Sequence, residues 1–297
     1  MRLFQKQSAL SIIIVLLGFE CAAPLFASES TVASEVEKIA DGFLFTEGPV
    51  WHKDGYLLFS DIPAHKIVKW SAQRGVETYR EESGDSNGLA FDHQGRLIAC
   101  EHGGRRISRT ETDGSITCIA DQYKGKRFNS PNDCAVRSDG MIFFTDPDYG
   151  LGGQKSEIGF NGVYCVKSGQ PPVLLAKDFN KPNGVALSPD EKILYVADTA
   201  ESHLRAFDVQ ADGTLKNGRI LTPVPNPDGM AVDVQGNLYV TASTGVEVFD
   251  SAGKRLTIIE APEQPANCGF GGEENKTLFI TARKGLYKVR THNAGLS

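Results

Sequence analysis

Six oxygen-bearing side chains, Glu47, Asn87, Asn132, Asn183, Asp228 and Asn267, occupy one position of a recurring sequence pattern. Each opens a short apolar run, most are followed by glycine, and successive members stand about 40–50 residues apart. The set holds carboxylates and amides but no His or Cys. Hard cations such as Ca²⁺, Mg²⁺ or Mn²⁺ choose such oxygen donors, whereas thiophilic metals do not. Two carboxylates neutralise one divalent charge, and amide carbonyls extend the shell while leaving room for water and substrate. An ion held in this way polarises a carbonyl or phosphoryl oxygen and lowers the pKa of bound water. Any one of the six is an ordinary turn or strand-start residue. All six in register argue for a ligand site.

The elements that must position them follow from the repeat. The six units begin "EGPVWHKDGYLLFSDI" at Glu47, "NGLAFDHQGRLIACEH" at Asn87, "NDCAVRSDGMIFFTDP" at Asn132, "NGVALSPDEKILYVAD" at Asn183, "DGMAVDVQGNLYVTAS" at Asp228 and "NCGFGGEENKTLFITA" at Asn267. In the fifth, Val232 and Val234 precede a Gln235-Gly236-Asn237 turn, and Leu238 and Val240 follow it in a second strand. Gly, Asn and Asp supply the positive-φ conformations of such hairpins. No segment keeps a 3.6-residue apolar period over helix length. The chain reads as all-β, a six-bladed β-propeller whose first strands line a central channel. The segment "SEVEKIADG" is an extra strand before the first unit, and the last unit supplies only three; joining them closes the ring without an exposed edge.

Residues 1–27 stand apart from this domain, which spans 28–297. Arg2 and Lys6 precede "SALSIIIVLLGF", too short to span a bilayer comfortably, and small residues end at Ala27. This is a secretory signal peptide, with a secreted or periplasmic destination; an uncleaved anchor is the alternative, and Gly18-Phe19-Glu20 before Cys21 is a poor lipobox. The net charge of −6 argues against nucleic acid or an anionic membrane surface as partner. Cleavage leaves Cys100, Cys118, Cys134, Cys165 and Cys268, an odd set without CxxC spacing. Cys100 and Cys118 are placed to pair across neighbouring strands, but burial as small hydrophobes suits most of the five.

With the repeat in hand, the blocks "FTEGPVW", "SNGLAFD", "EHGGRR", "NSPNDCAV", "FFTDPDYG", "KPNGVALSPDEKILYVADT", "PDGMAVD" and "CGFGGEENKTLFIT" become informative. In this order they resemble the SMP-30/gluconolactonase/luciferin-regenerating family, nearest its bacterial gluconolactonases, over roughly residues 40–290. The resemblance implies one divalent ion, Ca²⁺ first with Mg²⁺, Mn²⁺ or Zn²⁺ as alternatives, held by Glu47, Asn183 and Asp228. Asn132 matches the family's fourth amide, which touches ion or substrate. Asp228 matches the residue assigned as proton acceptor, or as nucleophile in related phosphotriesterases. Arg127 lies where some relatives place a substrate-binding Arg. Asn87, Asn129 and Asp133 complete the expected substrate contacts, Asp133 either reaching substrate or tying down its loop through nearby N–H groups.

Other motifs compete less well. Gly84-Asp85-Ser86-Asn87-Gly88 matches GxSxG, but a strand follows where a nucleophile elbow needs a helix. The histidines form no HxxxH pair; His52 and His93 fall at hairpin turns and are expected to be solvated, and His102 is expected at the surface or behind the site. Asp146 to Gly150 lacks EF-hand spacing and reads as a rim turn, with Tyr149 against the pocket. Ser156 to Phe160 reads as a lid. The expected activity is opening of a sugar lactone by an ion-polarised carbonyl and water that either Asp228 or the ion activates. Phosphotriester hydrolysis at the same ion and a non-catalytic calcium-binding propeller are the alternatives.

Overall fold

The computed structural model describes residues 31–296; the predicted signal peptide lies outside the described residues. Among them, six four-stranded antiparallel sheets form the blades of a propeller. Strand β1 (Glu37–Asp41) comes first. Blade 1 holds β2 (Thr46–His52), β3 (Tyr56–Asp61), β4 (Lys66–Ser71) and β5 (Gly75–Arg80). Blade 2 holds β6 (Ser86–Phe91), β7 (Leu97–Glu101), β8 (Arg106–Thr110) and β9 (Ile116–Ala120). A small hairpin of β10 (Gln122–Tyr123) and β11 (Lys126–Arg127) leads to blade 3. That blade is β12 (Cys134–Val136), β13 (Ile142–Asp146), β14 (Asn161–Val166) and β15 (Val173–Phe179). Blade 4 is β16 (Pro182–Leu187), β17 (Ile193–Asp198), β18 (His203–Val209) and β19 (Leu215–Pro223). Blade 5 is β20 (Met230–Val232), β21 (Leu238–Ala242), β22 (Gly245–Phe249) and β23 (Arg255–Ile259). Blade 6 takes β24 (Pro265–Gly271), β25 (Thr277–Ala282) and β26 (Gly285–Arg290), and β1 pairs with β26 to complete it. The expected closure by an N-terminal strand is what the chain does.

Alternating side chains build a core at every blade interface. In β3, Leu57 and Phe59 pack toward Phe279 and Leu286 of blade 6, while Leu58 between them packs toward Leu89 and Leu97 of blade 2. A strand buried on both faces needs a continuous apolar run, which explains why the second strand of each unit reads "YLLF" or "LYV" and not as a half-polar strand. The outer strands alternate with water and are polar, as in β19, most of whose residues are exposed.

Packing departs from the sequence reading at the cysteines and histidines. Cys118 on β9 lies opposite Ser108 on β8, so that strand separates it from Cys100 on β7; the expected pairing is corrected, and all five described cysteines are free thiols. His52 is buried, stacked on Tyr56 with ring centroids 4.6 Å apart, and not solvated. His93 is held to the next blade by Nε2 against the Arg137 carbonyl at 3.2 Å.

Candidate active site

Each of the six pattern residues sits within two residues of the start of an innermost strand, and Asn267 also lines the cavity further down the channel. Neighbouring blades touch there through backbone: the Gly88 N–H donates to the Asn132 carbonyl at 2.7 Å and the Gly184 N–H to the Asp228 carbonyl at 3.0 Å. Crowding dictates the glycine that follows the polar residue. A Cβ on Gly88 would meet Asp133 Oδ1 at 2.3 Å and the Asn132 carbonyl oxygen at 2.7 Å.

A second, acidic device holds the entry to three of these strands. Asp61, the last residue of β3, accepts the N–H groups of Leu44 and Phe45, just ahead of Glu47. Asp146 does the same for Asn129 and Ser130 ahead of Asn132, and Asp198 for Asn180 and Lys181 ahead of Asn183. These carboxylates are buried and fix the chain where it turns toward the axis. Sequence reasoning missed them, although an acid closing the second strand of a unit ("FSD", "FTD", "VAD") was the visible signal.

Glu47, Asn132, Asn183 and Asp228 supply the four-residue oxygen set at the channel mouth. Asn183 donates Nδ2 to Thr199 Oγ1 at 3.0 Å, and Thr199 in turn donates to the Pro227 carbonyl at 2.6 Å, which orients the amide. Among the described residues, the Asn132 amide has no protein partner and is not sealed from solvent. Glu47 accepts the Gly48 N–H at 3.0 Å and is also hydrogen-bonded by the Asn267 amide. Burial raises the Glu47 carboxyl well above its ordinary pKa, and the charges of Asp228 and Asp133 raise it further. Burial pushes Asp228 to about 7, opposed by hydrogen bonding from Asn183 and a weaker pull from Arg283, although water still reaches one edge of the residue. Acids pressed together without a neutralising partner are costly unless protonated or given a cation. Mixed carboxylate–amide oxygens fit a hard divalent cation; no cluster of three or more His, Cys, Asp or Glu suited to a metal occurs among the described residues.

Around this set, the expected substrate contacts divide. Asn87 is buried at the mouth, its Nδ2 3.2 Å from Nε2 of His102. His102 is therefore neither a surface residue nor remote, and burial lowers its pKa to about 4. Tyr149, half-exposed, reaches toward Thr199 and Asn183, as expected for a pocket wall. Asn129 is corrected: it is fully buried, its Nδ2 donating to the Asp146 and Phe160 carbonyls, its Oδ1 accepting from Ser156. No polar atom of it is left for substrate. The same bond anchors the predicted lid, whose Ile158 is buried in the core between blades 2 and 3. Arg127 sits exposed on β11 with its guanidinium donating to the Gly104 carbonyl at 2.9 Å, outside the ring of six.

Asp133 is corrected as a contact at this mouth. Its carboxylate accepts the Cys134 N–H at 2.9 Å and the Asn267 amide at 3.5 Å, and lines the cavity at the channel's opposite end. That cavity measures about 630 Å³ and is walled mainly by apolar residues of the inner strands, including Val50, Leu89, Val185 and Met230. Burial raises Asp133 to about 7. Of the two readings for this residue, tying down the loop is the one its bonds match.

Comparison with known proteins bears on what this arrangement does. The profile described as SMP-30/Gluconolactonase/LRE-like region matches residues 45–284. The chain is 35% identical over 297 residues to a gluconolactonase of Zymomonas mobilis subsp. mobilis, covering 89% of this chain and 83% of that protein. It is 30% identical over 260 residues to regucalcin of Bos taurus, covering 81% and 84% respectively. The solved structure of a gluconolactonase from Xanthomonas campestris superposes with a TM-score of 0.82 at 36% identity, covering 86% of this chain and 89% of that one.

Proposed function

The chain belongs to the SMP-30/gluconolactonase/LRE-like family, and from that premise we propose that it is a divalent-cation-dependent lactonase opening sugar lactones. The observation that carries the reading is the buried pair Glu47 and Asp228, two acids raised by burial at the channel mouth with, among the described residues, no ion pair to either. Glu47, Asn132, Asn183 and Asp228 would hold the ion. When bound, it supplies Lewis acidity toward the lactone carbonyl oxygen and keeps both carboxylates ionised.

The chain's own residues do the rest. Asp228 is the more open of the two carboxylates in the set, so it orients and deprotonates the attacking water. The water oxygen bonds to the carbonyl carbon and the ring C–O bond breaks. The proton taken by Asp228 passes to the departing ring oxygen, giving the open hydroxy acid. Thr199 keeps the Asn183 amide from rotating, and Tyr149 walls the site from blade 3. Export through residues 1–27 would place this activity outside the cytoplasm.

A pH-stat assay of the purified chain tests the reading, comparing glucono-1,5-lactone, other sugar lactones and a phosphotriester with and without Ca²⁺. Cation-dependent acid release from sugar lactones is expected. Turnover confined to the phosphotriester would move the assignment to that reaction, and no ester turnover would leave a binding propeller.

A further inference from the structure

The mechanism above makes no use of His102. Its backbone N–H donates to the Asp85 carbonyl at 3.0 Å, and its ring lies between Asn87 and the rim turn Tyr149–Leu151 of blade 3. That turn is pressed against it. A Cβ on Gly150 would stand 3.0 Å from His102 Cβ and 2.7 Å from Ser130 Cβ, so only glycine lets the two blades close here. Ser130 Oγ is already committed, donating to the Pro147 carbonyl at 2.6 Å and accepting the Gly150 N–H at 2.8 Å. The His102–Asn87 pair is thus a fixed wall of the mouth.

Its hydrogen-bonding edge is defined by elimination. The contact between His102 Nε2 and the Asn87 amide consumes one donor and one acceptor. With Nδ2 donating to Nε2, the free atoms are a protonated Nδ1 and the carbonyl Oδ1. With the amide turned over, they are a lone pair on Nδ1 and the N–H groups of Nδ2. Either way the wall shows an acceptor beside N–H donors, the second amide hydrogen of Asn87 included, and the ring itself, with pKa near 4, is neutral at pH 7. Among the described residues, neither free atom has a protein partner and neither is sealed from solvent. A carboxylate or phosphate would satisfy only the donor, and an ammonium only the acceptor. A hydroxyl satisfies both.

We propose that His102 and Asn87 form a hydroxyl subsite that selects polyhydroxylated lactones over unsubstituted ones. This rests on the lactonase reading and assigns its substrate preference to a wall distinct from the four ion-binding residues. The test compares glucono-1,5-lactone with δ-valerolactone, which has the same ring but no hydroxyls. In His102→Ala, kcat/KM for the sugar lactone should fall about tenfold, the worth of one hydrogen bond to a neutral group. The loss should appear chiefly in KM, δ-valerolactone should be unaffected, and His102→Gln should recover part of it. Asn87→Ser should show the same selective loss and carries the test if His102→Ala does not fold. Equal losses on both lactones, or none on either, would overturn the subsite while leaving the lactonase intact. If the unaltered chain opens neither lactone, the lactonase reading fails by itself. The subsite is then judged by calorimetric binding of methyl β-D-glucopyranoside: weaker binding in His102→Ala supports it, and unchanged or absent binding refutes it.

Discussion

Glu101 and Glu47 are both buried glutamates near the inner ends of their blades, yet their surroundings are opposite. Glu101 is fully buried and receives Arg80 and Arg106 at 2.7 Å each and Ser108 Oγ at 2.5 Å. Its charge is matched within the protein, and it ties β8 of blade 2 to the end of β5 of blade 1. Glu47 receives only neutral donors, the Gly48 N–H and the Asn267 amide, and feels the charges of Asp228 and Asp133. The blade invests cations where a carboxylate is structural and withholds them at the channel mouth. Buried charge left unmatched in this way is destabilising in itself, and its presence where the inner strands converge is what supports the proposed cation site.

The comparison can be broken in order of expected effect. Asp228→Asn should keep the fold and reduce lactone hydrolysis by about 10²–10⁴-fold, the range for loss of a general base; near-normal turnover in a steady-state assay would remove Asp228 from its role. Glu101→Gln strands two arginines and should cost about 3 kcal/mol in chemical denaturation, toward the low end for breaking a buried pair because water reaches Arg106. Its kcat at saturating cation should be retained. The converse outcome, stability kept and turnover lost, would exchange the two glutamates' roles.

Ca²⁺ at a hundredfold excess over its Kd should stabilise the unaltered chain by about 2.7 kcal/mol, seen as a rise in Tm that Asp228→Asn does not show. The pH dependence of the cation-free chain tests the same acids without the ion. Burial raises Asp133, Asp146 and Asp228 to about 7 in the folded chain, whereas an unfolded aspartate titrates near 3.9. Between those values the folded state binds more protons, so stability falls as pH rises through the window and stays low above it. Scanning calorimetry at pH 5 and pH 8 should find the lower Tm at pH 8, with Ca²⁺ reducing the difference. A higher Tm at pH 8 without cation would contradict the buried-acid assignment.

Much of this was legible beforehand because the repeat constrains residues one blade at a time. Six units in register specify six blades, and a surplus strand at one end with a deficit at the other specifies how the ring closes. That one polar residue stands near the start of each inner strand was readable for the same reason. What could not be read was the direction in which side chains spend their hydrogen bonds. Asn129 and Asn132 are the same residue three positions apart; one is consumed by Asp146, Phe160 and Ser156, and the side chain of the other has no partner among the described residues. Asp133, one position beyond Asn132, turns down the channel, where its carboxylate accepts the Cys134 N–H and the Asn267 amide. Cys100 and Cys118 fail to meet because β8 lies between their strands, a matter of sheet order. His102 was undervalued because its partner, Asn87, is brought to it only by pairing of β6 with β7.

Calcium binding to the purified, metal-stripped chain, measured by isothermal titration calorimetry with metal content checked by mass spectrometry, addresses the central claim most directly. One Ca²⁺ per chain, lost in Asp228→Asn and in Glu47→Gln but kept in Glu101→Gln, is the predicted result. No bound ion, or binding undiminished in both channel variants, would contradict the account.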